Sequence, residues 1–240
     1  MATIYDDDRF FKRYSQMPRS QKGLAAAGEW PAFKTLLPDL KGKKVLDLGC
    51  GYGWHCRYAA AQGADCVVGV DISNKMLAQA RQQTQDSQVT YIQSDIATFQ
   101  SEQRFDVVLS SLALHYIQNF QQVVKRVRAL LNQHGVFQFT IEHPIFTAEG
   151  HEEWIKAADG SLKYWPVDHY FAEGKRQTDF LGTTVTKYHH TLSTLIDGLL
   201  TNGFTLQRIA EPQPPEELRD LPEMQPSTRV PMMLIIKAQK

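Results

Sequence analysis

The architecture of this chain turns on nine residues, Val45-Leu46-Asp47-Leu48-Gly49-Cys50-Gly51-Tyr52-Gly53. The first four, with Lys43 and Lys44 before them, form a short apolar run holding one acid, the pattern of a strand buried on both faces. The rest set glycine at every second position. Glycine permits backbone angles and a closeness of approach that a Cβ forbids. Residues 54–62 then read as a helix ended by Gly63. Strand, glycine turn and helix in that order are the opening of a βαβ unit.

The pattern continues downstream. Residues 66–70 are an apolar strand. Ser73 is a good N-cap for a helix through residue 83 that turns Met76, Leu77 and Ala80 inward. Strands follow at 89–92 and 105–109. Phe120, Val123, Val124, Val127, Leu130 and Leu131 share one helical face. Gly135 precedes a strand at 136–141. Leu192, Leu195, Ile196, Leu199 and Leu200 mark another helix, stopped at Asn202-Gly203, and strands at 204–209 and 232–236 close the chain. Upstream, residues 1–41 show no strand signal and predict two short helices, 20–30 and 32–37, split by Pro31. Strands alternating with helices imply an α/β fold: a doubly wound, seven-stranded, mostly parallel sheet with the last strand antiparallel. We expect a single domain over 1–240, with residues 1–41 as a helical cap.

Two segments interrupt the rhythm. Residues 143–189, after the fifth strand, carry Trp154, Tyr164, Trp165, Tyr170 and Phe171; residues 211–231 are rich in proline. Long connections in a compact domain are commonly lids or binding loops. In a doubly wound sheet ligands bind beyond the carboxyl ends of the strands, and the first segment leaves such an end. We therefore expect 143–189 to be a lid or substrate insertion. Its aromatic residues would form either a wall for the substrate or a minor core fastening the insertion.

Composition narrows the function. Lys plus Arg is 26 and Asp plus Glu is 26, a net charge of zero. That excludes a strongly basic nucleic-acid coat or a polybasic membrane protein. No apolar run approaches the ~18 residues of a membrane span, and the acidic N-terminus is unlike a signal peptide. Cys50, Cys56 and Cys66 form no Cys-x-x-Cys, so neither a disulfide framework nor a cysteine zinc site is expected. Free thiols suit the cytoplasm.

The chemistry lies at the strand ends. Asp71 ends the second strand about twenty residues after the glycine turn, where a carboxylate accepts both hydroxyls of a ribose. Asp95 follows the third strand, placed to accept from an adenine amino group. Ser110-Ser111 ends the fourth. Taken with these, the run Val45 to Gly53 resembles motif I of the class I S-adenosylmethionine-dependent methyltransferases. Val68-Gly69-Val70-Asp71-Ile72-Ser73 with Met76-Leu77 resembles motif II, Ser94-Asp95-Ile96 motif III, and the run from Phe105 to His115 motif IV. Within the class the chain is similar to the small bacterial type 11 enzymes that methylate small molecules. Met17-Pro18-Arg19-Ser20, Glu142-His143-Pro144 and Lys187-Tyr188-His189-His190-Thr191 look like one sub-family of these.

The resemblance implies S-adenosylmethionine as cofactor. Gly49 and Gly51 would admit its methionine part, with Asp47 fixing the turn and reaching the amino group. Asp71 would hold the ribose. Ile72 and Met76 would pack on the adenine, and Asp95 with the Ile96 N–H would read its edge. Ser110 and Ser111 would line the methionine end, and Arg19 would either pair with the carboxylate or lie on the surface. His115, His143 and His189 fall where the chain leaves the strands, so each is a candidate base or positioning group, with Glu142 beside the first two. His-x-x-x-His spacing is absent and no metal is expected. His55 has no supporting pattern.

The expected reaction is methyl transfer to a small-molecule acceptor by a monomer or homodimer. The fourth strand lacks the Asn/Asp-Pro-Pro-aromatic turn used in adenine methylation, and no Pro-Cys offers a cytosine nucleophile, so nucleic acid is not expected. A nicotinamide oxidoreductase would show G-x-G-x-x-G, whereas this turn is G-x-G-x-G preceded by Asp47. A non-catalytic binder of the same cofactor is the other alternative.

Overall fold

The computed structural model describes residues 3–220 and 224–240; Met1 and Ala2 of the N-terminal reading and 221–223 of the proline-rich stretch lie outside them. In chain order the elements are helices α1 (Asp8–Ser15), α2 (Pro18–Lys22) and α3 (Trp30–Leu36), strand β1 (Lys44–Leu48), α4 (Trp54–Ala61), β2 (Cys66–Asp71), α5 (Asn74–Gln83), β3 (Val89–Gln93), β4 (Phe105–Ser111), α6 (Phe120–Leu130) and β5 (Leu131–Glu142). The insertion holds α7 (Pro144–Thr147), the short strands β6 (Ile155–Lys156) and β7 (Leu162–Tyr164), and β8 (Gly174–Phe180) and β9 (Thr183–His189). Helix α8 (Leu192–Thr201), β10 (Thr205–Ala210), α9 (Gln225–Arg229) and β11 (Met233–Gln239) complete the chain.

Seven strands form one sheet in the order β10-β11-β5-β4-β1-β2-β3. Every pairing from β5 to β3 is parallel, and β11 runs antiparallel to both of its neighbours. The sheet is the one expected, and its apolar runs are continuous because both faces are covered. Leu46, Val68, Val108, Phe137 and Ile236 pack into one core with α6 and α8. Val45, Val67, Val107 and Ile235, their chain neighbours, pack into the other with α3, α4 and α5. Ser73, Asn119 and Thr191 cap α5, α6 and α8 through their side-chain oxygens.

The N-terminal cap departs from expectation. Asp7 starts α1 by accepting from the N–H groups of Arg9 and Phe10, so a helix forms where none was read. Pro31 sits in the first turn of α3, where its missing N–H costs nothing; it begins a helix instead of dividing two. Strand β5 starts at Leu131, directly after α6, with Leu131 paired to Phe105.

The insertion folds as two hairpins, β6–β7 and β8–β9. Trp165 stacks on Phe146 with ring centres 4.6 Å apart and meets Trp154 edge-on at 5.6 Å. The Arg229 guanidinium covers Trp154 at 4.6 Å. Trp154 and Trp165 thus belong to a minor core that fastens the insertion, whereas Tyr164 and Phe171 are exposed.

Candidate active site

The glycine turn is built onto the end of β2. The N–H groups of Gly49 and Cys50 both donate to the Val70 carbonyl, at 2.8 and 3.0 Å. Gly49 has φ +78°, and a Cβ there would lie 2.3 Å from the Ala113 Cβ, so only glycine fits. Gly51 has φ +51°, but its Cβ position faces open space. One glycine is required by packing, whereas the other leaves room for a ligand. Asp71 ties the turn to α5: its Oδ2 accepts from the Gly51 N–H and its Oδ1 from the Ser73 N–H, each at 2.9 Å. Burial raises the Asp71 pKa against the opposing effect of those N–H groups.

A cavity of about 600 Å³ opens at this rim, a size in the usual range for small-molecule sites. Gly49, Gly51, Asp71, Ile72, Met76, Asp95 and Ile96 line one part of it. Asp71 and Asp95 thus face one space, at the carboxyl ends of adjacent parallel strands. Tyr5, Tyr14, Tyr116, Ile117 and the stretch 184–186 of β9 line another part. The cap and the β8–β9 hairpin roof the space. Asp6 Oδ1 accepts from the Ser73 hydroxyl at 2.7 Å and the Lys75 N–H at 3.1 Å. Arg13 donates to the Leu181 carbonyl at 2.6 Å, and Phe10 packs on Phe180.

The residues present fit an adenosyl cofactor. The Gly51 cradle is empty of protein. The Asp71 carboxylate has lone pairs beyond the two engaged. Asp95 accepts from the Ala97 N–H at 2.7 Å through Oδ1 only, among the described residues. Asp47 lies beneath the turn, 1% exposed and off the cavity wall. Its Oδ2 accepts from the Cys56 thiol at 3.4 Å, while its Oδ1 has no partner. Burial pushes the Asp47 carboxyl up to about 7.

The other expected site residues separate. Ser111 lines the cavity, but Ser110 turns into the sheet and donates to the Leu48 carbonyl at 2.7 Å, stapling β4 to β1. Arg19 reaches the wall and is ion-paired there with the buried Glu29. His143 accepts from the Ile145 N–H through Nδ1, capping α7, so its Nε2–H donates to Glu211, at 2.9 Å. His189 donates Nε2–H to the Tyr170 carbonyl and accepts from the Thr147 hydroxyl, both at 2.8 Å. Both rings have their nitrogens committed and stand off the cavity wall. His115, whose ring packs on Tyr116, comes within 3.9 Å of Glu142, and these two likewise stand off the cavity wall.

Several lining residues carry no motif. His55, in the first turn of α4, faces the cavity, and burial pulls its pKa down to about 3. Its position two residues after Gly53 was the available signal. Tyr116 joins the site through its hydroxyl, 2.9 Å from that of Tyr5; nothing local marks it. Thr184, Val185 and Thr186 arrive on a hairpin whose register no sequence signal revealed.

Known proteins share this fold. Residues 45–135 match the family described as a methyltransferase domain. A Listeria monocytogenes protein assigned as an S-adenosylmethionine-dependent methyltransferase is 50% identical, with a TM-score of 0.86 over 91% of this chain and 99% of that one. The S-adenosylmethionine-dependent methyltransferase from Mesorhizobium loti is 39% identical, with a TM-score of 0.84 over 91% of this chain and 100% of that one. Trans-aconitate 2-methyltransferase of Escherichia coli is 34% identical over 120 residues, 47% of this chain and 45% of that protein. The match thus spans about half the length of that curated relative.

Proposed function

The chain belongs to the S-adenosylmethionine-dependent methyltransferases, and from that premise we propose that it methylates a small molecule held between the N-terminal cap and the β8–β9 hairpin. One observation carries the proposal: a roofed cavity joins the glycine turn, Asp71 and Asp95 to a second wall of Tyr5, Tyr14, Tyr116 and β9. When bound, the cofactor supplies a methyl group already activated on a positively charged sulfur, so its departure needs no acid. The work left to the chain is to align the acceptor and exclude water, which makes positioning the main effect. Asp71, Asp95, Ile72, Met76 and Ile96 would hold the adenosine part. Gly49, Gly51 and Ser111 would hold the methionine part, with Asp47 beneath and Arg19 beside it.

None of His115, His143, His189 and Glu142 lines the cavity. His143 and His189 have their nitrogens engaged, and burial pulls the His115 pKa well down, so no general base is assigned to the chain, which suits an acceptor that needs none. The E. coli relative is named for a small molecule, trans-aconitate, which supports this acceptor class. The zero net charge supports a reading without nucleic acid. No helix among the described residues is long and apolar enough to cross a membrane. The three free cysteines support a cytoplasmic site of action.

The test is calorimetric titration with S-adenosylhomocysteine, followed by tritiated-methyl transfer to fractionated cell extract. Binding, with label in the small-molecule fraction, is expected. Absence of binding, or label confined to RNA or protein, would overturn the proposal.

A further inference from the structure

Beside the second wall lies an ion cluster that cofactor binding leaves unexplained. Lys187 of β9 is 3% exposed. Its ammonium donates to Glu142 Oε1 at 2.6 Å and to Glu152 Oε2 at 2.7 Å. His115 Nε2 stands 3.9 Å from the same Glu142 oxygen. Two buried atoms here have no partner among the described residues, Oε2 of Glu142 and Nδ1 of His115.

Two carboxylates face one ammonium, and burial holds His115 uncharged by pulling its pKa well down. Wherever Glu152 is ionised, one negative charge is left in excess. A buried charge without a counter-ion is costly, and the cluster shows the strain: burial, then Glu142, push the Glu152 carboxyl up to about 7. A positive charge brought close would relieve it.

The cavity is where such a charge would arrive. His115 and Lys187 are chain neighbours of Tyr116 and Thr186, both on the wall, and the His115 ring packs on Tyr116 with centres 4.4 Å apart. Among the described lining residues Arg19 is the one fixed cation; beyond it the wall offers an anion neutral donors only, such as the unpartnered Ser20 Oγ and Trp54 Nε1. Arg19 is already neutralised by Glu29, and Lys187 is engaged twice over. Aromatic rings close to the space, Tyr5, Tyr14 and Tyr116, favour a cation in addition.

We infer that the acceptor half of the cavity selects a cationic amine over a carboxylate, with the Glu142–Lys187–Glu152 cluster as the specificity determinant behind the wall. The inference rests on the methyl-transfer reading above. An unbalanced charge one side-chain layer away, in a partly dry site, shifts the affinity of a unit charge by about tenfold or more.

Three probes share one ring and differ in charge: tyramine, 4-ethylphenol and 4-hydroxyphenylacetate. Each is titrated at about pH 8.5, above the pKa of the Glu152 carboxyl and below that of an ordinary amine, into the 240-residue protein saturated with S-adenosylhomocysteine. Tyramine is expected to bind at least about tenfold more tightly than 4-hydroxyphenylacetate, with 4-ethylphenol between. Glu142→Gln and Glu152→Gln each neutralise the excess charge. Each should close most of that gap while leaving S-adenosylhomocysteine affinity unchanged, and that affinity also reports folding, so one variant suffices if the other fails to fold. Equal affinities, preference for the carboxylate, binding of none of the three, or a gap that persists in the variants would overturn the inference. Failure of the unaltered protein to bind S-adenosylhomocysteine would be a different result, sinking the methyltransferase reading first.

Discussion

Replacing Asp71 by asparagine separates what this residue does for the ligand from what it does for the fold. The carboxylate accepts from two backbone N–H groups, those of Gly51 and Ser73, each at 2.9 Å. An ionised carboxylate has about four acceptor positions, so two remain for ribose hydroxyls. An amide has one oxygen. Whichever way it turns, its NH2 points a donor where an acceptor was needed, toward Gly51 or Ser73 and toward the ligand. A lost hydrogen bond to a charged group costs about 1.5–3 kcal/mol, which is roughly 10- to 150-fold in Kd. The unliganded protein has an opposing gain, because burial disfavours the Asp71 charge and raises its pKa, and asparagine removes that charge. The two effects on stability offset to within about 1 kcal/mol, or about 2–4 °C in Tm for a chain of this size. Calorimetry with S-adenosylhomocysteine and a melting curve without it read the two quantities. A Kd within threefold of the unaltered protein would refute the assigned role. A fall in Tm of 10 °C or more alongside weak binding would show that the turn had collapsed.

The two turn glycines should respond differently to alanine. Gly49→Ala forces a Cβ to within 2.3 Å of Ala113 at positive φ, so a loss of several kcal/mol in denaturant unfolding is expected. Gly51→Ala meets nothing; it should cost only about 1–2 kcal/mol in stability yet weaken S-adenosylhomocysteine sharply. Asp47 keeps its proton to about pH 7 in the fold, while an unfolded aspartate releases it near pH 4. The folded state therefore binds more protons across that window, and stability falls as the pH rises through it. Asp47→Asn should gain on the unaltered protein between about pH 4 and 7, by up to roughly 4 kcal/mol, with no further gain above; a constant difference would exclude the mechanism. Lys187→Met leaves two buried carboxylates unpaired and should cost roughly 3–5 kcal/mol, a loss that shrinks as the pH is lowered. His143→Ala removes a cap of α7, expected to cost about 1 kcal/mol with no change in cofactor affinity.

The sheet was legible because each of its strands announces itself locally. Val45 to Leu48, Cys66 to Val70 and Phe105 to Leu109 are apolar on both faces, and glycine turns and capped helices separate them. What failed was local chemistry whose meaning depends on context. Pro31 reads equally well as a helix breaker and as a helix opener, and only Trp30 packing against Tyr58 and His55 selects the second. Helix α1 is short and strongly polar; Phe10 stacks on Tyr14 one turn along and reaches outside the helix through Tyr5 and Phe180, which are not periodic with it.

The site divides along the same line. Gly49, Gly51, Asp71 and Asp95 could be located from sequence because each stands at a strand end, where topology alone brings them to one rim. The histidines could not be ranked this way, since a ring at a strand end is free or engaged according to a partner elsewhere in the chain. For His143 that partner is Glu211, and for His189 it is Thr147 with the Tyr170 carbonyl. Lys187 shows the same limit from the other side. Nothing in the sequence marks it as buried, yet β9 turns it inward between Glu142 and Glu152. The charge that sets the character of the second wall thus depends on a register between three distant segments. Topology positions the cofactor half, whereas side-chain pairing across the insertion positions the acceptor half. Changes in the insertion, such as Glu152→Gln, should therefore alter which acceptor is chosen while the cofactor is bound as before.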